Sequence, residues 1–159
     1  MNRKKEYPKL FVYSSTTLLI AIVIFFFSSQ PAKESSQASG YFMEMVIAVL
    51  GNIMPEALLS FLIRKAAHIT IYFLLGWSMT LLVGQAMLVK TASIQVKKMG
   101  LTSLVFCFLY ACSDEWHQTF VPGRDGALRD VCIDGIGFCC SIILVLLWKK
   151  RREKRREKL

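Results

Sequence analysis

Leu10–Ser29, LFVYSSTTLLIAIVIFFFSS, runs for twenty residues without a charge. Wound as an α-helix it is about 30 Å long, the thickness of the hydrocarbon core of a bilayer. Basic residues Arg3, Lys4, Lys5 and Lys9 precede it. That flank resembles the start of a secretory signal, but the apolar run is too long and Ser36-Gln37-Ala38 is a poor cleavage site far downstream. The stretch is predicted to be an uncleaved first span. The whole chain agrees with a membrane class: 54% of its residues are hydrophobic, 19% are charged and the mean hydropathy is +0.44.

Three further apolar runs follow. With Leu10–Ser29 they place spans at about residues 10–29, 66–89, 99–119 and 131–148, a single transmembrane domain over residues 1–148. Ser28–Gly40 reads as a polar exit loop. Tyr41–Ile63 is apolar but is broken by Gly51, Asn52 and Pro55 and carries Glu44 and Glu56. Its halves of about 10 and 8 residues are too short to span, so an interfacial or re-entrant helical segment is expected between the first two spans. The expected fold is all-α, an integral membrane protein with four transmembrane helices.

Charge orients these spans. The basic clusters at Met1–Lys9, at Lys90–Lys98 and in the tail at 149–159 (KKRREKRREKL) fall on one side of a four-span arrangement. Only Lys33, Arg64, Lys65, Arg124 and Arg129 fall on the other. If Tyr41–Ile63 spanned as well, the basic tail would lie outside, against the positive-inside rule. Both termini are therefore expected in the cytoplasm of a multi-pass protein of the cell membrane. The net charge of +9 is explained by this flank pattern, and nucleic acid is not expected as a partner.

The remaining polar residues gather at the opposite, extracytoplasmic, end. Arg64, His68 and Tyr72 are spaced four apart and form one stripe on the second span. Asp114 and Glu115 both reach Gln118 along the third, with His117 between. Pro122-Gly123 marks a turn before Arg124. Asp130, Asp134 and Gly137 share one face of the fourth span, where the glycine permits close helix approach. Ionisable groups at such depth are costly and are expected to face one another.

RKAAHITIYFLLG (Arg64–Gly76), DEWHQTFVPGR (Asp114–Arg124) and the Asp130–Asp134–Gly137 pattern resemble the VanZ family of small bacterial membrane proteins. Ser28-Ser29-Gln30 fits that family too, and the likeness extends from about Ile20 to Ser141. Asp134 stands where many members are expected to carry Asn. The resemblance implies a cell-envelope role connected with resistance to the glycopeptide teicoplanin, and it supplies no biochemical activity.

Three functions fit the polar group. A structural ion-pair network would fasten the helices. A binding site would use Arg64, Lys65, Tyr72, His117, Gln118, Arg124, Asp130 and Asp134 to hold a membrane lipid, a lipid-linked cell-wall precursor or a lipoglycopeptide. A catalytic site would use Glu115, His68 and Asp114 for acid–base chemistry. The spacing matches no metal motif, and with four nearby arginines and lysines counted the group looks charge-balanced, so neither a metal nor another cofactor is expected. Cys107, Cys112, Cys132, Cys139 and Cys140 lack paired CxxC spacing and read as buried free thiols, with Cys112 and Cys132 near enough in the expected topology to meet. Trp116 and Trp148 mark opposite membrane interfaces, Trp77 is expected in mid-span packing, and Phe25–Phe27 faces lipid or core.

The topology has a direct check. In a background without the native cysteines, a cysteine at Ser36 is expected to react with an impermeant thiol reagent applied outside the cell. One at Ser93 is expected to stay unlabelled, and the reverse pattern would invert the orientation.

Overall fold

The computed structural model describes residues 6–51, 54–91 and 93–156, and these form five α-helices and no strand. They are α1 (Tyr7–Ser28), α2 (Ala32–Leu50), α3 (Glu56–Thr91), α4 (Val96–Gln118) and α5 (Leu128–Arg156). α1, α3, α4 and α5 are each long and apolar enough to cross a membrane, so the protein has four candidate spans. Arg3, Lys4 and Lys5 of the amino-terminal flank, Asn52 of the broken segment, Ala92 of the basic loop and Lys158 of the tail lie outside the described residues.

Proline explains where the helices stop. Pro8 sits in the first turn of α1, where its missing N–H costs nothing. Pro31 is the residue before α2, Pro55 the residue before α3, and Pro122 lies in the turn between α4 and α5. None interrupts a helix. Two boundaries differ from the expected ones for this reason. The polar stretch Ala32–Gly40 is not an exit loop, because nothing after Pro31 breaks it, and it forms the first turns of α2. Residues 56–63 do not form a second short helix, because Pro55 precedes them and they continue into the second span as one helix of 36 residues. At about 1.5 Å per residue α3 is about 54 Å long and outreaches a bilayer core. The start of the basic tail is likewise helical, continuing α5 through Arg156.

The packing is that of a bundle in an apolar solvent. Phe11, Leu18, Leu19, Ile22 and Phe25–Phe27 on α1, and Phe106, Phe108 and Leu109 on α4, are exposed, whereas Thr80, Ser103, Asp134 and Ser141 are completely buried. Small and polar residues share the helix contacts with Tyr72, Leu75, Met99, Phe138 and Val145, while many large apolar side chains face outward, as lipid-exposed helices require. Trp77 follows the outer pattern: it is 37% exposed and stacks on Phe73 of its own helix, so it is not core packing. All five cysteines are free thiols; Cys107 is buried, but Cys132 and Cys140 lie on the exposed face of α5.

α3 is the hub, touching all four other helices and packing most extensively against α5. The two run in the same direction. A Cβ on Gly137 would collide with the carbonyl oxygen of Ile69 and lie 2.9 Å from the Phe73 nitrogen, and one on Gly76 would collide with Ser141 Oγ and lie 2.8 Å from Phe138 Cα. Backbone meets backbone at these levels, so only glycine fits. At the far end Gln85 Nε2 donates to the Glu6 carboxylate at 2.8 Å and to the Glu6 carbonyl at 3.1 Å, tying the start of α1 to α3. Gln85 first, and Lys9 second, hold the Glu6 carboxyl below its ordinary pKa.

Gly137→Ala is expected to wedge α3 from α5 and destabilise the protein by about 1–3 kcal/mol, the usual cost of overpacking. Thermal unfolding in mild detergent checks this; an unchanged midpoint would mean that the contact is looser than described.

Candidate functional site

The close approach at Gly137 sets a register between two parallel helices. One turn earlier on each, His68 Nδ1 meets Asp134 Oδ1 at 3.2 Å. Earlier still, Lys65 Nζ lies 2.7 Å from Asp130 Oδ1. That oxygen accepts no well-directed hydrogen bond, so charge alone holds the pair. Arg129 Nε also lies 3.7 Å from it. Two cations therefore share one carboxylate at the rim, and Arg129, with 72% of its side chain exposed, remains open. Arg64, in the same turn of α3, is exposed as well.

α4 supplies the rest. The Tyr72 hydroxyl donates to Asp114 Oδ2 at 3.0 Å, which joins α3 to α4. Gln118 Nε2 donates to Glu115 Oε1 at 3.1 Å and more weakly to Asp114 Oδ2 at 3.4 Å. The backbone N–H of Ala127 donates to Glu115 Oε2 at 3.0 Å. That last bond needs Gly126, where a Cβ would collide with the Glu115 carbonyl oxygen. The turn can lie this close to the end of α4 only without a side chain there.

These contacts separate the polar residues into two groups. Asp114, Glu115 and Asp134 are 4%, 5% and 0% exposed. One carboxylate oxygen from each lies within 4.8 Å of the others. At an effective dielectric of about 20, two unit charges at that separation repel by roughly 3.5 kcal/mol. Among the described residues, His68 is the one cationic type in direct contact with this inner group, through Asp134. Asp114 Oδ1 and Asp134 Oδ2 are buried and find no hydrogen-bond partner there. The centre is acid-rich and the rim basic. A count over the sequence averages the two into apparent balance.

Arg124 stands apart. Its Nε donates to the Gln30 carbonyl at 2.9 Å, its Nη2 to the Phe27 carbonyl at 3.0 Å and its Nη1 to Gln118 Oε1 at 3.3 Å. A guanidinium on the Phe27 carbonyl in the last turn of α1, and on the Gln30 carbonyl just beyond it, satisfies acceptors that the helix end leaves open and complements its dipole. Burial lowers the Arg124 pKa from the ordinary arginine value, and Asp114 opposes that shift. The side chain is a clamp between α1 and the turn after α4. His117 points the same way: it stacks on Phe25 with centroids 4.7 Å apart, and its Nε2 lies 3.1 Å from Ser29 Oγ. Ala32 N–H on the Pro122 carbonyl, at 3.3 Å, completes the seam.

The structure thus brings His68, Tyr72, Asp114, Glu115, Gln118 and Asp134 into one centre. It places Lys65, Asp130 and Arg129 beside them, leaves Arg64 exposed, and turns His117 and Arg124 toward α1. The contributions of Ala127 N–H and of the Phe27 and Gln30 carbonyls were not foreseen, because main-chain groups have no residue signature. Gly126 was the one available hint. Arg124→Lys keeps the charge but loses the planar fork, and hydrogen bonds to charged groups are worth about 1.5–3 kcal/mol each. It is expected to lower stability by at least about 2 kcal/mol and to loosen α1, seen as faster proteolysis of the Ser29–Gln30 segment. An unaltered melting curve would contradict the clamp.

A family model described as VanZ/LLP1 matches residues 13–149, which covers α1 from Tyr13 and the whole polar centre. Neither the curated proteins nor the solved structures contain a significant match. With most of its length matched and its four candidate spans, the chain belongs to the VanZ/LLP1 family of membrane proteins.

Proposed function

We propose that the protein influences susceptibility to glycopeptides of the teicoplanin type by engaging a lipid-linked or lipoglycopeptide ligand at the polar end of its bundle. In this reading that end faces outward and both termini are cytoplasmic, as the distribution of basic residues favours. The observation that carries the proposal is an apolar groove that lies one aromatic pair away from the polar centre. A cavity of about 300 Å³ between α1, α3 and α4 is lined by Thr17, Leu18, Ala21, Leu75, Phe106 and Tyr110. Tyr110 has its ring centroid 6.5 Å from that of Tyr72, which donates to Asp114. A lipid-linked molecule needs just such a pairing, an apolar slot for its chain and charged groups for its head. Lys65 and Arg129, sharing Asp130, suit a phosphate at the rim.

A second reading is a membrane enzyme that acts on a lipid-linked envelope polymer. The His68–Asp134 pair beside Glu115 favours it, because an imidazole next to carboxylates can relay protons. Glu115→Gln keeps the shape, gives up one of the two acceptor oxygens that Gln118 and the Ala127 N–H occupy, and cannot transfer a proton, so full activity of this variant would exclude proton transfer by Glu115.

Expressed in a susceptible bacterial host, the wild type is expected to raise the inhibitory concentration of teicoplanin more than that of vancomycin, whose structure lacks the acyl chain. The double substitution Lys65→Ala, Arg129→Ala is expected to abolish the rise while the protein remains inserted. Full activity of the double variant would overturn the rim's part in ligand binding. Full activity of Glu115→Gln, with normal insertion, would overturn the enzyme reading that uses Glu115 as its acid–base group.

A further inference from the structure

The acid centre asks for a cation. Asp114, Glu115 and Asp134 come from two helices, are at least nine-tenths buried, and bring one oxygen each within 4.8 Å of the others. A carboxylate cluster alone would not carry this argument. The second observation is that Asp114 Oδ1 and Asp134 Oδ2, both buried, have no hydrogen-bond partner among the described residues, although the other oxygen of each is occupied by Tyr72 and His68 respectively. Buried polar atoms are very rarely left so unless water or an ion completes them. We propose that Asp114, Glu115 and Asp134 form a binding site for a single divalent cation of the oxygen-preferring class, calcium, manganese or magnesium.

The donor chemistry fits that class. Carboxylate oxygens suit hard cations, whereas the soft thiolates of this chain lie elsewhere. Three oxygens each about 2.3–2.6 Å from one calcium ion are separated by no more than about 5.2 Å, and the three carboxylate oxygens already lie within 4.8 Å of one another, so one ion can be reached by all three. The surrounding bonds orient the ligands as outer-shell groups do. His68 Nδ1 holds Asp134 Oδ1, Tyr72 holds Asp114 Oδ2, and Gln118 with Ala127 N–H holds Glu115. This inference revises the sequence-based expectation of no metal and does not rest on the ligand proposed above.

The test uses the full chain in mild detergent, stripped with a chelator and titrated by calorimetry with Mn²⁺, Ca²⁺ and Mg²⁺ in turn. The expected result is saturable binding of one ion per chain for at least one of the three, with a rise in the thermal midpoint. Asp134→Asn is expected to weaken that binding at least tenfold, and Asp125→Asn, in the exposed turn, to leave it unchanged. If Asp134→Asn fails to insert, Glu115→Gln takes its place, and the wild-type stoichiometry is decisive by itself. No saturable binding of any of the three ions by the wild type would overturn the proposal, as would wild-type affinity in the carboxylate variants.

Discussion

The contact between the backbones of α3 and α5 at Gly137 governs the polar end of this protein. With no Cβ at that position, Ile69 and Phe73 of α3 lie directly against α5. Two parallel helices in such contact keep the same rise per residue, so each turn before the contact on one helix faces the matching turn on the other. That geometry sets His68 opposite Asp134 and Lys65 opposite Asp130. Gly76 repeats the device deeper in the bundle, against Phe138 and Ser141. Without a hydrophobic force between helices in lipid, close packing and polar contacts of this kind are what hold a bundle together.

The third helix and the turn after it convert that pair of stripes into an enclosed centre. Tyr72 reaches Asp114 across the α3–α4 contact, and Gly126 lets the main chain cover Glu115. Around the centre, Arg124 and His117 fasten the end of α1 through the Phe27 and Gln30 carbonyls and through Phe25 and Ser29. The polar residues therefore divide by task. Those turned toward α1 hold the bundle closed. Those between α3, α4 and α5 bring three carboxyl groups together out of contact with lipid, where each charge is expensive unless it finds a partner.

The four spans and the gathering of polar side chains at one end of the bundle were legible because both rest on local signals. Hydropathy over twenty residues reports a helix's solvent directly, and four-residue spacing reports a shared face. The helix boundaries were read less well at α2 and α3. Mean hydropathy falls in Ala32–Gly40, and Gly51 and Pro55 suggested a broken segment, yet a helix needs only internal backbone bonds and tolerates polar side chains where it leaves the membrane. The fixing of Arg124 was not legible for a different reason. A charge in a loop looks free until the acceptors around it are known, and here two of its three acceptors are main-chain carbonyls, of Phe27 in α1 and of Gln30 just beyond it, more than ninety residues away.

By itself, the sequence determined the solvent, the number of spans, the family resemblance and which side chains are candidates for function, since each follows from the order of residues along one helix or loop. Only the tertiary structure decided how those side chains divide the charge. Lys65 and Arg129 pair with Asp130, Arg124 turns to α1, and Asp114, Glu115 and Asp134 are left together with His68. Electrostatic energy depends on distances between groups on different helices, and a charge count along the chain carries no such distances.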